Sequence, residues 1–406
     1  GDFAEQVEES GYVFIGPKDE TIKTMGNKLN AKEAVKEVGI KCIPGSDDAL
    51  TDDMDYSYKL ADEIGYPVLI KAAAGGGGKG MKVAHTKANL QHAIDITKAE
   101  SKAAFGDDTI FLEKLLEHPR HIEFQVIADN FGNVVCLGDR DCSMQRSHQK
   151  VVEEAPSAIL TPEKRKAMGE AAVNVARSCN YRGAGTVEFI YDDKGDFYFL
   201  EMNTRLQVEH PVTELITGVD LVKEMINIAE GNPLSFKQED LKIHGHSIEI
   251  RVYAENPYEN FLPDTGSLDV YVRPQGPGVR VDDGFEQGMD IPIYYDPMIS
   301  KLITYGKDRA EAIDRMIRAI DEYHIHGVKT TLPFGKFVMN HEAFVSGDFN
   351  THFVQNYFEP QMLYKASEEG SFIASLAAAH ILNSKKAEVV NETSAKPVSN
   401  WKRNRT

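Results

Sequence analysis

The spacing of apolar residues changes period repeatedly along the chain, a recurrence of three to four marking helices and alternation marking strands. Residues 2–9 carry the helical period, and GYVFIGP (11–17) predicts a strand stopped by Gly-Pro. Helices are expected over 18–38, ending at Gly39, and over 51–65, with a Thr/Asp start and a Gly stop. PVLIKAA predicts a strand, GGGGKG a loop and MKVA a second strand, followed by a helix over about 87–103. IFLEKLL, HIEFQVIAD and VVCLGDRDCS predict strands, with FGN as a hairpin-type turn. A long helix (162–180) leads to GAGTVEFIYDD and DFYFLEMN, which read as adjacent strands, and VTELITGVDLVKEMINIAEG is helical. From about residue 246 the pattern becomes short strands punctuated by Gly and Pro, then an amphipathic helix over 308–323. The final stretch from KKAEVV is polar and unpatterned, which predicts a mobile tail. No internal repeat is visible, and the mixture of strands and helices predicts an α+β or α/β chain.

Composition narrows the partners. The 406 residues carry a formal charge of −18, which argues against a nucleic-acid surface but leaves room for small anions held by a few local cations. No apolar run is long enough to span a bilayer, so no membrane role is expected. The four cysteines, Cys42, Cys136, Cys142 and Cys179, form no CxxC pair, which suits a reducing cytosol and speaks against zinc. The chain opens on Gly1 in mid-pattern, so a segment upstream is expected.

Three stretches carry candidate chemistry. KAAAGGGGKGM (71–81) is not a Walker A loop, because Gly80 rather than Ser or Thr follows Lys79. It is not a dinucleotide fingerprint either, because MKVA reads as a strand rather than a helix. A hairpin flap remains, with backbone N–H groups open to phosphate and Lys71 as a point charge, against the alternative of a flexible surface loop. Glu188 and Glu201 sit among apolar residues on adjacent predicted strands, with Asn203 two residues on. One such carboxylate is usually exposed or salt-bridged, but the trio offers the hard oxygens that Mg²⁺ prefers beside phosphate.

EMNTRLQVEHPVTE (201–214) places Glu201, Asn203, Arg205, Gln207 and Glu209 at alternate positions, the edge of a strand leaving the core. Arg205 suits a planar oxyanion held by two parallel bonds, and Glu209 is a candidate general base, unless the two are only an ion pair at a strand end. SMQRSHQKVVEEAP (143–156) gathers Gln145, His148 and Lys150. His148 alone reads as structural, as do His324 and His326 at a helix end.

Taken in order, GNKLNAKEA, IKAAAGGGGKGM, FLEKLLEHPRHIEFQV, RDCSMQRSHQKVVEEAP, GAGTVEF, FLEMNTRLQVEHPVTE and YYDPMISKLI closely resemble the biotin carboxylases of the ATP-grasp superfamily, from Asp2 to about residue 358. The resemblance implies an ATP-grasp fold and a two-step reaction. ATP phosphorylates bicarbonate to carboxyphosphate, and the carboxyl group passes to biotin on a carrier protein. It implies Lys28 and Lys71 as phosphate-binding lysines, Gly77 and Gly78 in the flap, and Glu113, Lys114, Leu115 and Leu116 as the hinge along the adenine. His121, Gln145 and His148 match positions near ribose and phosphates, and Glu188, Glu201 and Asn203 match the ligands of Mg²⁺ (or Mn²⁺). Lys150, Arg205, Gln207 and Val208 match the bicarbonate pocket, Glu209 the base, and Arg251 the group facing the biotin enolate oxygen.

The resemblance also implies an organisation. Residues 1–16 would be the remnant of an N-terminal Rossmann-like domain that is largely missing, and 17–42 a helical linker. Residues 43–115 would form the small ATP-grasp (flap) domain, 116–245 the large one, 246–358 a biotin carboxylase C-terminal domain and 359–406 an extension. The full-length protein is expected to be an active homodimer, and the shorter chain less stable. No Met-Lys-Met attachment motif is present, so biotin is expected to arrive in trans on a carrier protein, and the further partner is a carboxyltransferase subunit. The extension resembles those of acyl-CoA carboxylases, and Trp401 with its basic neighbours is a candidate docking element. Two other readings compete: an ATP-grasp carboxylate–amine ligase, which lacks an amine pocket here, and a non-catalytic nucleotide-binding protein, which the intact Glu201, Asn203, Arg205, Glu209 and Arg251 oppose.

Overall fold

A computed structural model describes residues 1–74, 80–364 and 372–382. The chain divides into two compact units, Gly1–Phe358 and Glu359–Thr406. The second contains a short 3₁₀ turn, Pro360–Leu363, and a helix over 372–382. Gly77, Gly78, Trp401 and the polar tail lie outside the described residues.

Two sheets organise the first unit. The smaller has the order β2-β1-β3, from β1 (Val68–Ala72), β2 (Met81–Ala84) and β3 (Ile110–Lys114). The hairpin β1–β2 pairs Lys71 with Met81, and this frames the glycine run. The larger sheet takes β4 (Arg120–Ala128), β5 (Val134–Arg146), β6 (Gln149–Ala155), β7 (Gly183–Tyr191), β8 (Phe197–Asn203) and β9 (His246–Tyr253). After the short β10 (Glu255–Asn256), β11 (Leu262–Pro263) and β12 (Val270–Val272), it is completed by β13 (Val279–Asp283) and β14 (Met298–Gly306). Its order is β13-β14-β9-β6-β5-β4-β7-β8, every pair antiparallel.

Alternation along β4 explains how this sheet can carry a polar site. Ile122, Phe124, Val126 and Ala128 belong to a core shared with Met168, Ala172 and Val175 of the helix Pro162–Ser178. The intervening His121, Glu123 and Gln125 are equally buried, on the opposite face. Phe124, Phe189 and Phe199 anchor the apolar side, each worth about 1.5–3 kcal/mol by burial. Past β9 a second core seats Ile250, Leu302, Met316 and Ile320, the last two from the helix Arg309–Glu322. Asp308 caps that helix, accepting from the Glu311 N–H at 2.9 Å.

Several expectations are corrected. GYVFIGP is not a strand: among the described residues it has no strand neighbour, and Arg182 instead takes the Phe14 and Gly16 carbonyls. The helix expected over 18–38 is two, Asp19–Gly26 and Lys28–Glu37, because the Asn27 side chain accepts from the Leu29 and Asn30 N–H groups and starts a new N-terminus. The helix expected after Pro211 likewise breaks at Gly218, whose left-handed conformation closes His210–Thr217 before Leu221–Ala229 begins. Beyond residue 246, β9 and β14 are not short: they extend the main sheet across that boundary. His324 and His326 lie on β15 (His324–His326), paired with β12, rather than on a helix.

Candidate active site

Register assembles the site. Arg140, Glu123, Glu188 and Glu201 occupy mutually paired positions on β5, β4, β7 and β8, so four charged side chains stand in a row on one face. Asn203 pairs with Thr186 one step along. β8 ends at Asn203, so the alternation from 201 to 209 is not a strand edge throughout. A turn closed by the Gln207 carbonyl and the His210 N–H carries Arg205 to Glu209 into the helix His210–Thr217. Its geometry still directs Arg205 and Gln207 into the same cavity as Glu201 and Asn203.

That cavity, about 440 Å³, lies between the two sheets. Ile43, Leu69, Met81, Ile190 and Leu200 make one part of its wall an apolar slot beside Glu113–Leu116. Lys28, Lys71, His121, Gln145, His148, Lys150, Glu188 and Arg251 line it as well. His148 comes from the two-residue hairpin Ser147–His148 joining β5 to β6, with φ of 49° and 67°. Histidine tolerates this left-handed region better than most residues. Gly45 is required by close approach, since a Cβ there would overlap the Leu112 carbonyl oxygen against the hinge.

Lys150 sits in a cage of three carboxylates, with Nζ 2.5 Å from Glu123, 2.9 Å from Glu188 and 2.8 Å from Glu209. His121, Glu123 and Glu188 bring ligating atoms within 4.8 Å of one another, and the lysine ammonium already supplies the cation among them. Burial opposes the charge on Lys150, but the carboxylates outweigh it and raise its pKa well above the ordinary value. Burial likewise opposes ionisation of Glu188 and Glu209, and Lys150 first among the cations holds both below the usual carboxylate range. Arg140, fully buried, braces Glu123 at 2.6 Å and also donates to Gln125, Thr186 and Thr213. His121 Nε2 lies 2.9 Å from Glu188, which outweighs burial and raises the imidazole pKa, and Nδ1 lies 3.0 Å from the Gln145 amide.

Around the rest of the cavity, several groups await a partner. Arg205 is exposed and, among the described residues, bonds only to the Leu206 carbonyl and the Gln207 side chain. Gln207 is buried with its Nε2 donor unpartnered. Asn203 Nδ2 donates to Glu188 at 2.9 Å, and Lys28 Nζ lies 3.7 Å from Glu201. Glu113 is buried between the Lys32 and Lys71 ammoniums, and Lys114 donates to the Gly65 and Tyr66 carbonyls. Val208 does not line the cavity, and its carbonyl accepts from Lys301 at 3.0 Å. Glu209 lies behind the wall, bridging Lys150 and Arg251.

Sequence reasoning passed over Lys32, Glu123, Arg140 and Glu153. Lys32 was reachable, one helical turn after Lys28, and Glu123 is a charge in an apolar strand like Glu188. Arg140 and Glu153 carry no such signal, because their partners are set by strand register alone.

Residues 27–237 match the family described as carbamoyl-phosphate synthase L chain, ATP binding domain, and 249–356 match the biotin carboxylase C-terminal domain. The chain is 52% identical over 357 residues to biotin carboxylase 1 of Bacillus subtilis, covering 88% of this chain and 79% of that one. It is 48% identical over 411 residues to the human mitochondrial propionyl-CoA carboxylase alpha chain, covering 98% of this chain and 56% of the relative. The biotin carboxylase domain of Hydrogenobacter thermophilus 2-oxoglutarate carboxylase, solved with MgADP, ADP and bicarbonate, superposes with a TM-score of 0.86 at 46% identity, covering 90% of this chain and 80% of that one.

Proposed function

The chain belongs to the biotin carboxylase family of ATP-grasp enzymes, which are ATP-dependent ligases, and on that premise we propose that its cavity joins ATP, bicarbonate and biotin in one reaction path. One observation carries the reading: phosphate-type cations and paired carboxylates share a single cavity with Arg205, whose partners are a carbonyl and an amide rather than a carboxylate, and an orphaned amide donor.

The apolar slot takes the adenine ring, with Glu113–Leu116 along its edge, while Lys28 and Lys71 take the phosphates, a role also assigned from sequence to Gly77 and Gly78, which lie outside the described residues. His121, Gln145 and His148 stand beside the ribose and phosphates. The donors fit a hard divalent ion, because Glu188 and Glu201 oppose each other in register and the Asn203 amide, donating through Nδ2, keeps its oxygen for a ligand role. Mg²⁺ or Mn²⁺ held by these three would neutralise charge on the transferred phosphoryl group.

Bicarbonate is received by Arg205, the Gln207 Nε2 donor and Lys150, which line the cavity, and Val208 is assigned to the same pocket only as the neighbour of Gln207 in the chain. Glu209 is ionised, as a proton acceptor must be, and a second anion beside Lys150 shares its charge, so the proton affinity of Glu209 rises on binding. Arg251, held by Glu153 and Glu209, faces the biotin ureido oxygen and stabilises the enolate. Catalysis here is positioning and charge stabilisation.

Biotin reaches the site on a carrier protein, and a carboxyltransferase subunit completes the path. The acceptor we assign is an acyl-CoA, supported by the match to propionyl-CoA carboxylase along 98% of the chain. We also place the protein as a homodimer and in the cytoplasm, the latter in accord with four free cysteines. Among the described residues, no helix is long and apolar enough to cross a membrane.

Full-length protein with free biotin should hydrolyse ATP in a bicarbonate-dependent way, and Arg205→Ala should abolish that dependence. ATP turnover indifferent to bicarbonate would refute the assignment. Carboxylation of a 2-oxo acid rather than an acyl-CoA by the assembled enzyme would overturn the acceptor alone.

A further inference from the structure

Two more carboxyls lie beside Arg251, and almost nothing neutralises them. Glu153 on β6 and Glu249 on β9 are paired in register, so their side chains leave the sheet on the same face, one strand spacing apart. Both are fully buried. Arg251 Nε donates to Glu153 Oε1 at 2.6 Å, but Glu153 Oε2 and both oxygens of Glu249 have no donor. Three orphaned carboxylate oxygens in one buried pocket are costly, and two adjacent like charges cannot both persist there. A single shared proton removes the repulsion and gives two of the three oxygens a partner, because one carboxyl then donates to the other.

We propose that Glu249 and Glu153 hold one proton between them, and that Glu153, kept singly charged by this partner, is a positioning residue that fixes the Arg251 guanidinium for carboxylation of biotin. The proposal rests on the reading of Arg251 as the group facing biotin. Two of the three guanidinium nitrogens are held, Nε by Glu153 and Nη2 by Glu209 at 2.9 Å. The charged groups acting on the pair are Arg251, Lys150, Glu209 and Lys301, the last being the register partner of Arg251 on β14. Burial pushes Glu153 up to about 7 against the pull of Arg251, and burial with the Glu153 charge pushes Glu249 well above the carboxylate range. Glu249 is therefore the proton carrier at neutral pH, and Glu153 loses its charge as the medium turns acidic.

Infrared difference spectroscopy of the unliganded full-length protein tests the shared proton without reference to activity. A buried carboxylic-acid band is expected at pH 7 and should vanish in Glu249→Gln. No such band in the native protein, or its persistence in that variant, would overturn the pairing. Kinetics then test the positioning. Glu153→Gln, which removes a charge-assisted bond, should lower kcat/KM for biotin about tenfold while the KM for ATP moves less than about twofold. The acidic limb of the biotin-dependent rate should disappear in Glu153→Gln and remain in Glu249→Gln, which keeps a neutral donor. An acidic limb unchanged in Glu153→Gln would refute the positioning role. Failure of the biotin carboxylase reading would show differently, as native protein without bicarbonate-dependent turnover beside an intact infrared signature.

Discussion

Glu113 connects stability to pH in a way that can be worked through. Its carboxylate is buried between Lys32 and Lys71, with the Lys71 ammonium 2.7 Å away. Burial opposes its ionisation, yet the two lysines hold its pKa at about 2, down from an ordinary 4.5. A displacement of that size is worth about 3 kcal/mol of folding free energy. An independent route agrees: removing one partner from a buried ion pair costs about 3–5 kcal/mol, because the remaining charge stays desolvated. Because the folded-state pKa is depressed, this stabilisation is complete above 4.5 and is lost as pH falls from there toward about 2. Glu113→Gln should therefore lower the local stability of the β1–β3 sheet by about 3 kcal/mol at pH 7, and by roughly half as much at pH 3. Native-state hydrogen exchange of the β1 and β3 amides reads this opening energy without requiring that the whole chain unfold in one step. A difference under about 1 kcal/mol at neutral pH, or one that does not change on acidification, would refute the clamp as a source of stability.

Other expectations follow from the same cage. Lys150→Met leaves Glu123, Glu188 and Glu209 without their common cation, so a carboxylate should take up a proton on folding. Chemical denaturation should show a loss of about 3–5 kcal/mol at pH 7 that shrinks toward pH 5, since a raised carboxyl pKa favours the folded state only under acid conditions. Arg140→Met leaves Glu123 to Lys150 and takes a donor from Gln125, Thr186 and Thr213, and should yield protein that is poorly folded or at least comparably destabilised, read by circular dichroism and yield. Asn203→Ala should raise the Mg²⁺ concentration giving half-maximal ATP turnover by about tenfold or more, and chelation should abolish turnover in both proteins.

The primary sequence by itself determined much of this protein. The glycine run between two strand patterns marked the β1–β2 hairpin, and the apolar surroundings of Glu188 and Glu201 marked carboxylates held in a sheet. Local signals suffice there, because side-chain alternation and glycine's freedom act over a few residues. The same locality explains the failures: GYVFIGP has a strand's composition, yet a strand exists only with a neighbour to bond. Asn27 and Gly218 divide helices that periodicity alone runs together. Only the tertiary structure decided that β9 joins β6, setting Arg251 and Glu249 against Glu153 from about a hundred residues away. Only it placed Lys150 among three carboxylates from three different segments. Burial and register fix the charge states in such a cage, and both belong to the assembled sheet rather than to any stretch of chain.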